Sequence, residues 1–159
     1  MSLPAGRQVL TFRVGGGEYG IDLLRAREIV PFVGPSAPGT GCLRGTLPLA
    51  DGPLPLVEVG VKVGEPPLIL TPRTCVVVAD GPGLRVGLIV DEIGAVLDLA
   101  AAEVGPVPRL GLRLRIEHLA GVGAAGGRLV LLLDLDHLLD ERERGAALQA
   151  CVAAPGAHP

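Results

Sequence analysis

The sequence predicts a mainly β protein: two small β-barrel lobes followed by a C-terminal helix. Three observations carry this prediction. Glycine and proline, 24 and 15 of 159 residues, cut the chain into short strands and leave little room for long helices. Between these breaks, apolar residues alternate with polar ones or run continuously over short stretches, as strands do. The composition is 48% hydrophobic but only 2% aromatic, without tryptophan, so the core must be built from Val, Leu, Ile and Ala. A mean hydropathy of +0.49 is high, and part of that excess is expected on an exposed binding surface.

The elements follow in order. Val9 to Val14 alternates, Gly15-Gly16-Gly17 turns, and Glu18 to Asp22 resumes an extended pattern, which together read as a hairpin. A Leu23 to Arg27 connection, too brief for a helix, leads to Glu28-Ile29-Val30, where Pro31 argues against helical continuation. Pro31 to Gly45 reads as loop. A second hairpin pairs Thr46 to Leu49 with Leu56 to Val63 around Ala50-Asp51-Gly52-Pro53. Thr74 to Ala79, the turn Asp80-Gly81-Pro82-Gly83, and Leu84 to Val90 running into Asp91-Glu92-Ile93 form a third. After a loop at Gly105-Pro106-Val107-Pro108, Leu119 to Ala125 turns at Gly126-Gly127 into Leu129 to Leu135. Asp136 to Ala153 carries a helical pattern that Gly145 weakens.

Gly20 and Gly87 occupy matching places, as do Gly45 and Gly121, at separations of 67 and 76 residues. The pattern is either an internal duplication of hairpin, excursion and hairpin, with the second copy starting near residue 74, or the chance regularity of a Gly-rich β chain. Two similar lobes, each closed to remove its sheet edges, are the simplest architecture for a duplication.

Several chemistries are excluded. Gly121 to Gly127, GVGAAGG, satisfies the G-x-G-x-x-G pattern, but a strand-like run follows where a dinucleotide site needs the N-terminus of a helix. Its glycines are expected instead to admit a close backbone approach at Gly121 and Gly123 and to turn a hairpin at Gly126-Gly127. His118, His137 and His158 have no metal-ligand spacing, and Ser2 and Ser36 no nucleophile context. Paired carboxylates such as Asp91-Glu92, and Asp134 with Asp136, read as strand-end residues. No cofactor is expected. A formal charge of −3 and 13 scattered arginines exclude a nucleic-acid stripe. Cys42, Cys75 and Cys151 form no disulfide framework, and no signal or membrane segment is visible, which predicts a cytoplasmic protein without direct membrane insertion. An interaction module remains; a ligand-binding barrel or enzyme would have no polar cluster to orient its ligand.

Glu18-Tyr19-Gly20-Ile21-Asp22-Leu23-Leu24-Arg25-Ala26-Arg27-Glu28-Ile29 resembles the start of the CheW-like family of bacterial chemotaxis coupling proteins. Val86 to Ile93 is similar to the family's VGIVVDGV strand, and Leu119 to Asp134 to its glycine-rich hairpin. The three matches lie in order across residues 9 to 140. The resemblance implies two five-stranded SH3-like β-barrel lobes around a shared apolar core over 9–140, with a C-terminal helix and tail over 141–159. It implies a non-enzymatic adaptor that couples the chemoreceptor cytoplasmic tip to the regulatory domain of the histidine kinase CheA, recruited to membrane receptor arrays. The alternative is a divergent member that binds only the kinase domain, as an array cap or competitor. Carried over by position, the partner-binding residues are Glu28, Gly45, Asp51, Val86 and Val90. The chain departs from the pattern at Leu49-Ala50-Asp51-Gly52, where the family has Asn-Leu-Arg-Gly, so Asp51 reverses the charge of an arginine associated with partner binding. Arg44-Gly45 offers an out-of-register substitute for that arginine, which is not the reading adopted, and Ala26 stands where a larger apolar residue is usual.

Overall fold

In a computed structural model of the chain, residues 7–32, 34, 41–99, 104–106, 116–125 and 127–153 are described. Among the described residues eleven strands, β1 (Arg7–Val14), β2 (Gly17–Asp22), β3 (Ala26–Pro31), β4 (Leu43–Leu49), β5 (Gly52–Glu58), β6 (Cys75–Gly81), β7 (Leu84–Val90), β8 (Glu92–Leu99), β9 (Val104–Gly105), β10 (Leu119–Ala125) and β11 (Arg128–Leu133), form two sheets. Helix α1 (Val59–Val63) follows β5, and α2 (Glu141–Ala153) is the last element among the described residues. One sheet runs β8-β1-β2-β11-β10-β9 and the other β3-β6-β7-β5-β4. The first therefore has six strands, the sixth being the two-residue β9.

Neither sheet coincides with one half of the sequence. The hairpin β1–β2 pairs with β8 and β11 from the second half, while β6–β7 pairs with β3 and β5 from the first. Corresponding strands nevertheless occupy corresponding places, including the parallel pairs β2·β11 and β5·β7. The glycines spaced 67 apart show why. A Cβ on Gly20 would lie 2.4 Å from Val9 Cγ1 and 3.2 Å from Val130 Cγ1. On Gly87 it would lie 2.7 Å from Val76 Cγ1, 2.8 Å from Leu54 Cδ2 and 2.9 Å from Leu56 Cδ2. Each glycine makes room for an aliphatic side chain of its own hairpin and for others of the parallel partner strand. Gly87→Ala is expected to cost about 1–3 kcal/mol, as overpacking of a filled core does, measured by denaturant unfolding. Gly16→Ala, whose Cβ meets nothing within 4 Å, is the control and is expected to stay within about 0.5 kcal/mol.

Alternation assigns the two faces of each strand to different cores. Cys75, Val77 and Ala79 of β6, with Val86, Leu88 and Val90 of β7, join Leu10, Phe12, Val14, Tyr19 and Ile21 in a core shared by both sheets. The intervening Val76, Val78 and Ile89 pack with Phe32, Leu54 and Leu56 behind the five-stranded sheet. Val9, Leu99, Val130 and Leu132 do the same for the other. Strands buried on both faces need continuous apolar runs. The high hydropathy is thus spent mainly on three interior clusters; exposed large apolar side chains include the adjacent Ile69 and Leu70 and, four apart on α2, Leu148 and Val152.

β4 begins at Leu43, inside the stretch expected as loop, α2 begins at Glu141 and not at Asp136, and two further segments differ in kind from the sequence reading. Val59 to Val63, expected as strand, is a turn of helix ended by Gly64 at φ 87°, which points Val59 and Val63 together into the shared core. Glu92 to Leu99 is a separate edge strand, not the end of β7. The chain bends at Asp91, whose N–H donates to the Arg13 carbonyl at 2.9 Å and whose carboxylate accepts from Gly15 N at 2.8 Å. Glu65, just past α1, secures the same β1–β2 turn by accepting from Tyr19 Oη at 2.6 Å and Gly16 N at 3.3 Å. Burial, then Glu65, pushes the Tyr19 phenol above its ordinary range.

Candidate interaction site

The candidate residues lie on the five-stranded sheet. Edge strand β3 carries a bulge, since Ala26 pairs with Ala79 and Glu28 with the adjacent Val78. Arg27 and Glu28 are both exposed. Arg27 turns to Asp80 on β6, whereas Glu28 meets no charged partner among the described residues. Asp80 faces Arg85 in register across the β6–β7 hairpin, with Arg85 Nε donating to Asp80 Oδ1 at 2.9 Å. Arg85 Nη1 also approaches Asp51 Oδ2 at 3.4 Å, on the β4–β5 turn, where the Asp51 side chain is 82% exposed. The ladder Arg27, Asp80, Arg85, Asp51 thus crosses one end of the sheet with alternating charge. The Arg27 guanidinium, with Arg85 behind it, holds the Asp80 carboxyl below its usual range. Beside it Arg25 donates to the Asp80 carbonyl at 2.9 Å and to Asp136 at 2.8 Å, which holds the Asp136 carboxyl below its usual range too.

The other candidates are placed differently. Gly45 sits at φ 77° where β4 bulges against β5, a conformation that favours glycine. Arg44 does not stand in for a turn arginine. Its guanidinium is committed inward, with Nε on Glu58 Oε1 at 3.0 Å and Nη1 on the Gly41 and Leu43 carbonyls. Val86 and Val90 are 4% and 0% exposed and belong to the shared core, so they support β7 from behind and present no apolar surface to a partner. Alternation along β7 points both inward.

GVGAAGG is a hairpin. β10 runs into β11 instead of a helix, and Gly127 turns at φ 79°; Gly126 lies outside the described residues. A Cβ on Gly121 would lie 2.9 Å from the Gly105 carbonyl oxygen, and one on Gly123 2.7 Å from Leu99 Cδ1. Among the described residues no group of three His, Cys, Asp or Glu side chains is placed to hold a metal, and no helix is long and apolar enough to cross a membrane. Burial pushes the Cys42 thiol up to about 12, which leaves it unreactive.

Sequence reasoning missed Arg27, Asp80 and Arg85. A signal existed for two of them, because Asp80 and Arg85 flank a four-residue turn and so face each other as an opposite-charge cross-strand pair.

Comparison with known proteins places this fold. The profile of the CheW-like domain matches residues 8–143. The chain is 32% identical over 140 residues to the chemotaxis protein CheW of Klebsiella aerogenes, covering 87% of this chain and 84% of that protein. It is 29% identical over 145 residues to the chemotaxis protein CheW of Rhizobium meliloti, covering 89% and 93%. The crystal structure of the scaffolding protein TtCheW from Thermoanaerobacter tengcongensis superimposes with a TM-score of 0.77 at 17% identity, over 87% of this chain and 90% of that one.

Proposed function

The chain belongs to the CheW-like domain family, and from that premise we propose that it is a non-enzymatic adaptor that couples a chemoreceptor's cytoplasmic tip to the regulatory domain of a CheA-type histidine kinase. A role as a scaffold of chemotaxis signalling follows from the family. The observation that carries the finer reading is the match over residues 8–143, which spans both sheets and their shared core and thus the whole two-lobed body. Glu28, Gly45 and Asp51, on β3, on β4 and at the β4–β5 turn, supply the contact surface in this reading, with Val86 and Val90 holding the sheet in shape.

The test is co-sedimentation of the full chain with a receptor tip and with the kinase regulatory domain from the same organism, each alone and then together. Binding to each alone, and recruitment of the kinase domain to the receptor only when the chain is present, is the expected result. Binding to the kinase domain without the receptor would replace coupling with the cap or competitor role, and binding to neither would remove both.

A further inference from the structure

The charge ladder gives the contact surface a chemistry of its own. Read along the end of the sheet, the side chains are Glu28, Arg27, Asp80, Arg85 and Asp51, negative and positive in alternation. Both arginines share the central Asp80, whose side chain is only 28% exposed, so the three carboxylates outnumber the two guanidiniums by one. Every member but Asp80 is exposed, Asp51 at 82% against 49% for Arg27 and 43% for Arg85. Glu28 has no charged partner among the described residues, and Asp51 has only the 3.4 Å approach of Arg85. The ladder therefore carries a net charge of −1, and its Asp51 end presents a more exposed charge than either arginine.

We propose that Asp51 is the specificity-determining carboxylate of this face, engaging a cationic side chain of the protein partner, and that Arg85 is its stand-in while the partner is absent. The inference rests on the adaptor reading above. The exchange is easy because it leaves nothing stranded. Arg85 gives up its longest and most exposed contact, of a kind that contributes little, and keeps Asp80 at 2.9 Å. Asp51 passes from one cation to another. A partner with a carboxylate at this point would meet Asp51 and Glu28 unneutralised, so the same residues reject the wrong charge.

The experiment measures affinity for the kinase regulatory domain and for the receptor tip, at low and moderate salt, with the wild-type chain, Asp51→Asn and Arg85→Gln. Thermal unfolding of each variant establishes that this exposed pair can be changed without loss of fold. For the partner that docks here, Asp51→Asn is expected to weaken binding roughly tenfold and to flatten its salt dependence. Arg85→Gln is expected to leave binding unchanged or tighten it, because Asp51 is then free. The opposite signs, weaker binding with Arg85→Gln and tighter with Asp51→Asn, would make Arg85 the contact and overturn the inference. Indifference to Asp51→Asn in a chain that binds its partners would overturn it alone, whereas a wild-type chain that binds neither domain overturns the adaptor reading and this inference together.

Discussion

Cut within residues 66–72, the chain is expected to give two fragments that are each unfolded alone and that rebuild the native protein when mixed. The cut separates β1 to β5 and α1 from β6 to β11 and α2. Every hairpin stays within one fragment, but the pairings β1·β8, β2·β11, β3·β6 and β5·β7 all cross the cut. Each fragment is left with isolated hairpins, which are marginal in water, and with one side of the shared core uncovered. Circular dichroism and amide NMR dispersion should show disordered fragments, and a single cooperative unfolding transition should return on mixing. A fragment that folds alone would show that the interchange of hairpins between the halves is not what closes the sheets.

The hairpins were legible because each turn carries a glycine that the backbone needs at positive φ, at Gly15, Gly83 and Gly127. The spacings of 67 and 76 residues were equally legible, since packing beside a parallel partner strand leaves a glycine at both sites of the first pair. What sequence order could not show is which hairpin joins which sheet, because local turn chemistry is silent about pairings 31 or more residues apart. β8 was missed because the bend at Asp91 contains neither Gly nor Pro, and because its bulge near Gly94 breaks the alternation that marks a strand. There Thr11 bridges the irregular ladder, with its hydroxyl on Ala95 O at 3.1 Å and Ala95 N on the hydroxyl at 2.9 Å. Val59 to Val63 has the composition of a strand, and only Gly64 behind it signals a helix end. Of the site, Glu28 and Asp51 are exposed while Val86 and Val90 face the shared core, and a strand buried on both faces gives no sequence cue to which side is which. The reach of Arg27 and Arg85 to either side is purely tertiary.

Glu143→Ala is expected to release the C-terminal helix. The helix begins later than Asp136, and its start is set by a reciprocal cap. Glu143 N donates to Asp140 Oδ1 at 2.7 Å while Asp140 N donates to Glu143 Oε1 at 3.0 Å. The same Glu143 oxygen accepts from Lys62 Nζ at 2.7 Å, and the other oxygen accepts from the Cys42 thiol at 3.5 Å. Lys62 is buried on α1, so Glu143 is both the cap of one helix and the counterion of another. Removing it leaves an ammonium without its charge partner in the interior. Fully buried pairs lose about 3–5 kcal/mol in that way; since the Glu143 side chain is 25% exposed, a loss nearer 2 kcal/mol is expected, plus about 1 for the cap. Cys42, sealed under this contact in the wild type, should then react with a thiol reagent well below the denaturant midpoint, which separates local release from global unfolding. Acid should act on the same joint. Burial opposes the charged form of Glu143, but the hydrogen bonds from Lys62 and Asp140 N outweigh it and lower its pKa from 4.5. A carboxyl depressed in the folded state adds stability that is complete above its unfolded pKa and is lost as pH falls through the folded one. Asp80 and Asp136 share that sign, so the wild type minus Glu143→Ala difference isolates the helix joint; it should narrow as pH drops below 4.5, and a constant difference would show that the ionised carboxylate of Glu143 is not what stabilises the joint.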